Sequence, residues 1–238
     1  MQLTDAKVVI LGGSTGIGFA TARAAIAEGA HVTIAGRSAE KLRLAKAALT
    51  GAADTALLDV NEETAVRDFF QTRDGIDHIF VTAGNPAHAP RLEIDTRLLR
   101  RAMDTRFMGA LYAAKYGAPK MRRNGSLVFM SGSTSTVPLA GEPVVTASCA
   151  AVEAFARALA VDLAPLRVNA ITPGYIETPF LEDILGERKE AVLAAAAAKL
   201  PAKRIGRVEE AADGVLFLMK NEYVTGIALL VDGGYHLV

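Results

Sequence analysis

The sequence predicts a doubly wound α/β protein built on a mostly parallel sheet. Three observations carry this. Short apolar, β-branched runs alternate with Ala-rich helical stretches along the chain. The first such run enters a glycine-rich loop, Gly12-Gly13-Ser14-Thr15-Gly16-Ile17-Gly18, that opens a helix. Hydrophobic residues make up 51% of the 238, enough for a sizeable core, and no Pro/Ser linker or low-complexity tract divides them. One domain spanning 1–238 is expected.

Each element has a local reason. KVVIL (7–11) is apolar and β-branched, hence a strand. Residues 16–29 form an Ala-rich helix closed by Gly29. HVTIAG (31–36) is the second strand, and 38–49 the second helix with Ser38 as N-cap. Residues 54–60 form the third strand, 62–72 the third helix and 76–84 the fourth strand. Residues 94–121 are too long for one typical helix and divide into two. GSLVFMSGS (125–133) is the fifth strand, 142–164 a long helix, and 167–174 the sixth strand. Residues 177–200 hold one or two helices, 208–220 another, and 226–234 the last strand. Right-handed strand–helix–strand units place helices on both faces of the sheet.

Composition excludes several classes. The 26 basic and 26 acidic residues cancel, so no global field attracts nucleic acid or an anionic membrane. No apolar run reaches the ~18 residues of a membrane span. The N-terminus lacks the basic-then-apolar pattern of a signal peptide. One cysteine, Cys149, excludes an internal disulfide, and His31, His78, His88 and His236 show no metal spacing. A cytoplasmic protein without a metal is expected.

The glycine loop fits a nucleotide pyrophosphate. Its glycines allow a tight turn and close backbone approach, and the helix that follows supplies free N–H groups with partial positive charge. The G-x-x-x-G-x-G spacing resembles that of the short-chain dehydrogenase/reductase family, and the resemblance extends along essentially the whole chain. Asp59-Val60 matches the family's adenine-contacting segment, and Thr82-Ala83-Gly84 its Asn-Ala-Gly. Pro173-Gly174, Ile176 and Thr178 match the Pro-Gly-x-x-x-Thr segment beside the nicotinamide, and Val231-Asp232-Gly233-Gly234 the C-terminal end. The resemblance implies a Rossmann-type sheet of seven strands in the order 3-2-1-4-5-6-7. It also implies a homodimer or homotetramer formed through helices 104–121 and 143–164.

Cofactor choice turns on the end of the second strand. An NAD site carries an acid ~20 residues after the loop to hold the ribose 2′-OH. Here the window reads Ala35-Gly36-Arg37-Ser38, without an acid. Arg37 can pair with a 2′-phosphate, with Ser38 and Lys41 nearby, so NADP(H) is favoured.

The family's catalytic positions are altered. Its proton-donating Tyr falls on Val145, its Lys on Cys149, its Ser on Gly132 and its Asn on Arg106. A valine cannot move a proton, and an unperturbed thiol supplies no cationic field. A second Tyr-x-x-x-Lys, Tyr116 to Lys120, precedes the fifth strand and contains Pro119, so it is read as chance. Substitute catalysts are Ser133 first, then Ser131, Arg106, Glu142 and His88. Tyr175, Phe180, Leu181, Ile184 and Leu185 suggest an apolar lid over an unidentified small-molecule substrate. Two readings stay open: an NADP(H)-dependent oxidoreductase with a non-standard catalytic set, and a catalytically silent NADP(H)-binding sensor or interaction protein.

Overall fold

A computed structural model describes residues 3–83 and 95–238. Seven strands form one sheet: β1 (Lys7–Leu11), β2 (His31–Gly36), β3 (Ala53–Leu57), β4 (Ile76–Val81), β5 (Met121–Met130), β6 (Arg167–Pro173) and β7 (Ala228–Val231). Their order is β3-β2-β1-β4-β5-β6-β7, and every pairing is parallel. The order reverses at β1, which pairs with β2 on one side and β4 on the other. A ligand crevice forms at such a switch point, outside the carboxyl ends of the strands.

Period-two alternation builds two cores from one sheet. Val8 and Ile10 pack with Val32, Ile34 and Phe80 on one face, beneath α1 (Gly16–Ala27), α2 (Ala39–Ala48) and α9 (Val208–Lys220). Val9 and Leu11 pack with Ile79, Val81 and Phe129 on the other. That face is covered by α3 (Glu63–Gln71), α5 (Gly109–Gly117) and α6 (Pro143–Asp162). Both faces are buried, so the central strands read as continuous apolar runs.

The remaining helices are α4 (Thr96–Met103), α7 (Pro179–Leu185) and α8 (Lys189–Lys199). The two helices expected in 94–121 are α4 and α5, joined without a break. α4 runs through a π-helical turn, Asp104–Met108, directly into α5. Several strand ends also differ from expectation, β7 among them, which spans only Ala228–Val231 of the expected 226–234. β3 stops at Leu57, because the Asp59 carboxylate turns the chain by accepting from the Asn61 backbone at 3.0 Å and its side chain at 2.7 Å. β5 starts at Met121 and ends at Met130, before Gly132. β4 ends at Val81, where the Thr82 and Ala83 N–H groups both donate to Leu11 O.

α6 is 20 residues long and apolar enough to cross a membrane by length and composition, although it carries Glu153 and Arg157. It packs on β5 and β6 through Cys149, Val152 and Ala156. Arg167 fixes the far edge by donating to Leu218 O and Met219 O at 2.6 Å each, which satisfies carbonyls at the end of α9.

His78 on β4 faces its register partner Ser126 on β5, Nδ1 to Oγ 2.9 Å. Burial pushes its pKa down to about 4, opposed by Asp77 and assisted by Arg167. The folded state therefore resists protonation that the unfolded chain accepts near 6.5. Stability from neutral His78 is complete above that value and is lost as pH falls from about 6.5 towards 4, by about 3 kcal/mol in all. Urea unfolding midpoints at neutral pH and near pH 4.5 should diverge more in wild type than in His78→Gln.

Candidate cofactor and substrate site

The glycine loop is shaped by contacts that exclude a side chain. A Cβ on Gly12 (φ +96°) would lie 2.8 Å from Ala83 N, and one on Gly18 would lie 2.3 Å from Gly12 O. The loop therefore rests directly on the end of β4. Thr15, the N-cap of α1, makes no side-chain cap bond, and the first turn carries no acid. The first N–H groups of α1 are thus left for an anion. Ile17, at the start of α1, is buried in the core, which anchors that end of the helix.

The end of β2 and Thr178 meet this loop, and the other predicted cofactor segments lie at neighbouring strand ends. A Cβ on Gly36 would lie 3.6 Å from Ser14 Oγ, so the end of β2 adjoins the loop. Arg37, next along, is exposed and takes no partner among the described residues. Ser38 caps α2, accepting from Lys41 N at 3.2 Å. Val60 is buried against Gly109. Beside Asp59, Asn61 Oδ1 is buried without a partner, an acceptor available at that rim. From the far side, Thr178 lies against Gly16, 3.6 Å from its built Cβ, and accepts from Leu181 N to cap α7. Pro173-Gly174 packs on Asp232, and Ile176 is pinned by a bridge to Gly206. Gly84 and His88 lie outside the described residues.

These residues fit a dinucleotide. The cradle is open where a Cβ would close it, the α1 terminus is free, and the Arg37 guanidinium stands just beyond the end of β2. Among the described residues no group of three or more His, Cys, Asp or Glu is placed to hold a metal.

On the substrate side, Val145 and Cys149 lie one turn apart on α6. Cys149 is buried, and a Cβ on Gly132 would lie 3.3 Å from its Sγ. The two positions therefore fill one small space, and Thr134 Oγ donates to the sulfur at 3.5 Å. Arg106, in the π turn, reaches across to donate to Ser131 O at 3.1 Å. Ser133 is buried at the start of a short turn. Tyr116 and Lys120 take separate partners, Glu63 at 2.7 Å and Asp74 at 3.1 Å. They do not form one unit.

Glu153 went unnoticed in the sequence. One turn beyond Cys149, its Oε1 accepts from Ser131 Oγ and Ser135 Oγ at 2.6 Å and from Thr172 Oγ at 3.1 Å. It ties α6 to the ends of β5 and β6 and to the loop holding Gly132 and Ser133. No local pattern signals it, since the three hydroxyls come from separate segments.

The comparisons agree with this architecture. A family model described as Enoyl-(Acyl carrier protein) reductase matches residues 12–236. Short-chain dehydrogenase/reductase malC of Malbranchea aurantiaca is 36% identical, covering 98% of this chain and 95% of that protein. Carbonyl reductase family member 4 of Danio rerio is 32% identical, covering 97% and 98% respectively. The structure of MalC Reductase/Diels-Alderase from Malbranchea aurantiaca has a TM-score of 0.93 at 34% identity, covering 99% of this chain and 98% of that one. A small-chain dehydrogenase in complex with NADPH has a TM-score of 0.86 at 32% identity, covering 98% and 100%. The chain belongs to the short-chain dehydrogenase/reductase family, oxidoreductases that use nicotinamide cofactors.

Glu153→Ala leaves three hydroxyls without their charged acceptor and should cost about 2–4 kcal/mol. Glu153→Gln keeps an acceptor oxygen and should cost less. Urea denaturation of the two variants beside wild type measures the difference; equal stability for all three would contradict the junction role.

Proposed function

We propose that this protein is an NADP(H)-dependent oxidoreductase acting on a small carbonyl or alcohol substrate with a non-standard catalytic set. The observation that carries this reading is convergence at one crevice. The uncapped α1 terminus, the acid-free end of β2 with Arg37, and the Pro173–Thr178 segment meet around Gly12–Gly18. A structurally similar dehydrogenase was solved with NADPH, and a similar protein is named a carbonyl reductase.

When bound, the reduced nicotinamide supplies a hydride. The chain's own residues hold and orient. Gly12, Ser14, Thr15, Gly16, Ile17 and Gly18 take the pyrophosphate on backbone N–H groups. Arg37 takes the 2′-phosphate in a charge-assisted pair, and Ser38 keeps its cap while offering an O–H. Asp59, Val60, Ala83 and Gly84 flank the adenine side. Pro173, Gly174, Ile176 and Thr178 close the nicotinamide side.

At the reacting end, Val145 offers no proton and the Cys149 thiol replaces a cation. Gly132 stands where the family has a hydroxyl, and the Cys149 sulfur fills the space beside it. Arg106 is placed to stabilise developing negative charge through donors beyond those it spends on Ser131 O. The absence of a proton donor at 145 also favours a second reading, a silent NADP(H) sensor. Turnover separates the two: steady NADPH oxidation with any carbonyl compound supports the oxidoreductase.

The protein is read as a cytoplasmic homo-oligomer that binds neither nucleic acid nor membrane. Only 22% of the apolar 18-residue window of α6 is buried within the chain, which suits a helix covered by a second copy. Light scattering at micromolar concentration should give a dimer or tetramer mass.

Arg37→Ala should weaken NADPH binding by about 1.5–3 kcal/mol, roughly 10- to 100-fold, while leaving NADH nearly unchanged. Fluorescence titration with each nucleotide checks this. Equal losses for both would show that Arg37 does not read the 2′-phosphate.

A further inference from the structure

We propose that Tyr175 is the hydroxyl donor of the substrate pocket and that Tyr235 is its positioning residue. The inference rests on the oxidoreductase reading above and supplies the donor that reading lacks. Tyr175 directly follows Pro173-Gly174 at the carboxyl end of β6. Its backbone is fixed: its carbonyl accepts from Gly206 N at 2.9 Å, and the next residue, Ile176, is buried and bridged to Gly206. Three residues on, Thr178 touches the glycine loop. The Tyr175 backbone thus spans from the Pro-Gly turn towards the phosphate cradle.

Its side chain is half-buried and turned towards a second phenol. The Tyr175 and Tyr235 rings meet edge to face with centroids 5.3 Å apart at 74°. Glu142, the N-cap of α6, is near enough to act on Tyr175 electrostatically. Val145 follows Glu142 by three residues on α6. The other tyrosines are less suited. Tyr116 is held by Glu63, Tyr223 is fully exposed beyond α9, and Tyr112 lies on α5.

Burial, then Tyr235 and Glu142, push the Tyr175 phenol up to about 12. It is protonated at neutral pH and, as a weak acid, gives its proton to the strongly basic alkoxide that hydride addition creates. In carbonyl reduction, the Tyr175 Oη–H bond breaks and a new O–H bond forms on the substrate oxygen. The carbonyl carbon gains the hydride that the dihydronicotinamide supplies, leaving NADP⁺, and the tyrosinate recovers a proton from water. Tyr235, packed edge to face against the Tyr175 ring, sets its direction.

The test uses the full chain labelled with fluorotyrosine and read by fluorine NMR, together with NADPH oxidation against a panel of ketones and aldehydes. The Tyr175 resonance is assigned by its loss in Tyr175→Phe. It should move when NADP⁺ is added, while that of Tyr223 stays, and Tyr235→Phe should move it even without nucleotide. On any carbonyl the wild type reduces, Tyr175→Phe should lower kcat by ~10²–10⁴-fold with NADPH affinity unchanged. Tyr235→Phe should lower kcat more than it raises KM. A Tyr175 resonance indifferent to NADP⁺, or a Tyr175→Phe protein with wild-type kcat, overturns the proposal while the oxidoreductase reading stands. Tight NADPH binding without wild-type turnover on any panel member overturns that reading, and the proton-donor role falls with it.

Discussion

Backbone meets backbone where β1 hands over to α1, and the arrangement of the crevice depends on that contact. Gly18 sits so close to the Gly12 carbonyl, and Gly12 to the Ala83 amide, that a methyl group at either position would collide with main chain. The result is a helix whose first turn points at the rim where β2 and β4 end. The same approach brings Ser14 beside Gly36, and Thr178 closes over Gly16. Segments far apart in sequence thus share one rim because the sheet reverses its order at β1.

The opposite wall is α6, and its inner face is organised differently from the phosphate side. Val145, Cys149 and Glu153 follow at four-residue spacing and so share one stripe. The first two are small or apolar, and Cys149 closes the space beside Gly132. The third gathers three hydroxyls from the strand ends. The stripe therefore retains a strong polar anchor one turn deeper than the reacting end. That anchor holds the 131–135 loop in place, while in the proposed mechanism the proton chemistry falls to groups on other elements. Arg106 arrives from the π turn, and the Tyr175–Tyr235 pair from beyond β6 and β7.

Much of this was legible in the sequence. Strand and helix succession, the switch-point loop, the Ser38 cap and the Gly29 terminator follow from local rules, and the structure places them as those rules require. Strand ends were harder to read, because they depend on side-chain turns such as Asp59 with Asn61 rather than on apolar pattern. The join at 104–108 was also hidden, since a π turn keeps the helical pattern unbroken. Glu153 and the tyrosine pair were illegible for a different reason. Their partners lie 18 to 60 positions away along the chain, and a glutamate on an Ala-rich helix or a tyrosine after Pro-Gly carries no mark of what it will meet.

The most direct test of the account is a crystal structure of the protein grown with NADP⁺. The account predicts the pyrophosphate over Gly12–Gly18 at the start of α1, the 2′-phosphate against Arg37, and the nicotinamide between Val145 and Pro173-Gly174 with the Tyr175 phenol on its substrate side. A dinucleotide bound elsewhere, or a nicotinamide directed away from α6, would contradict it.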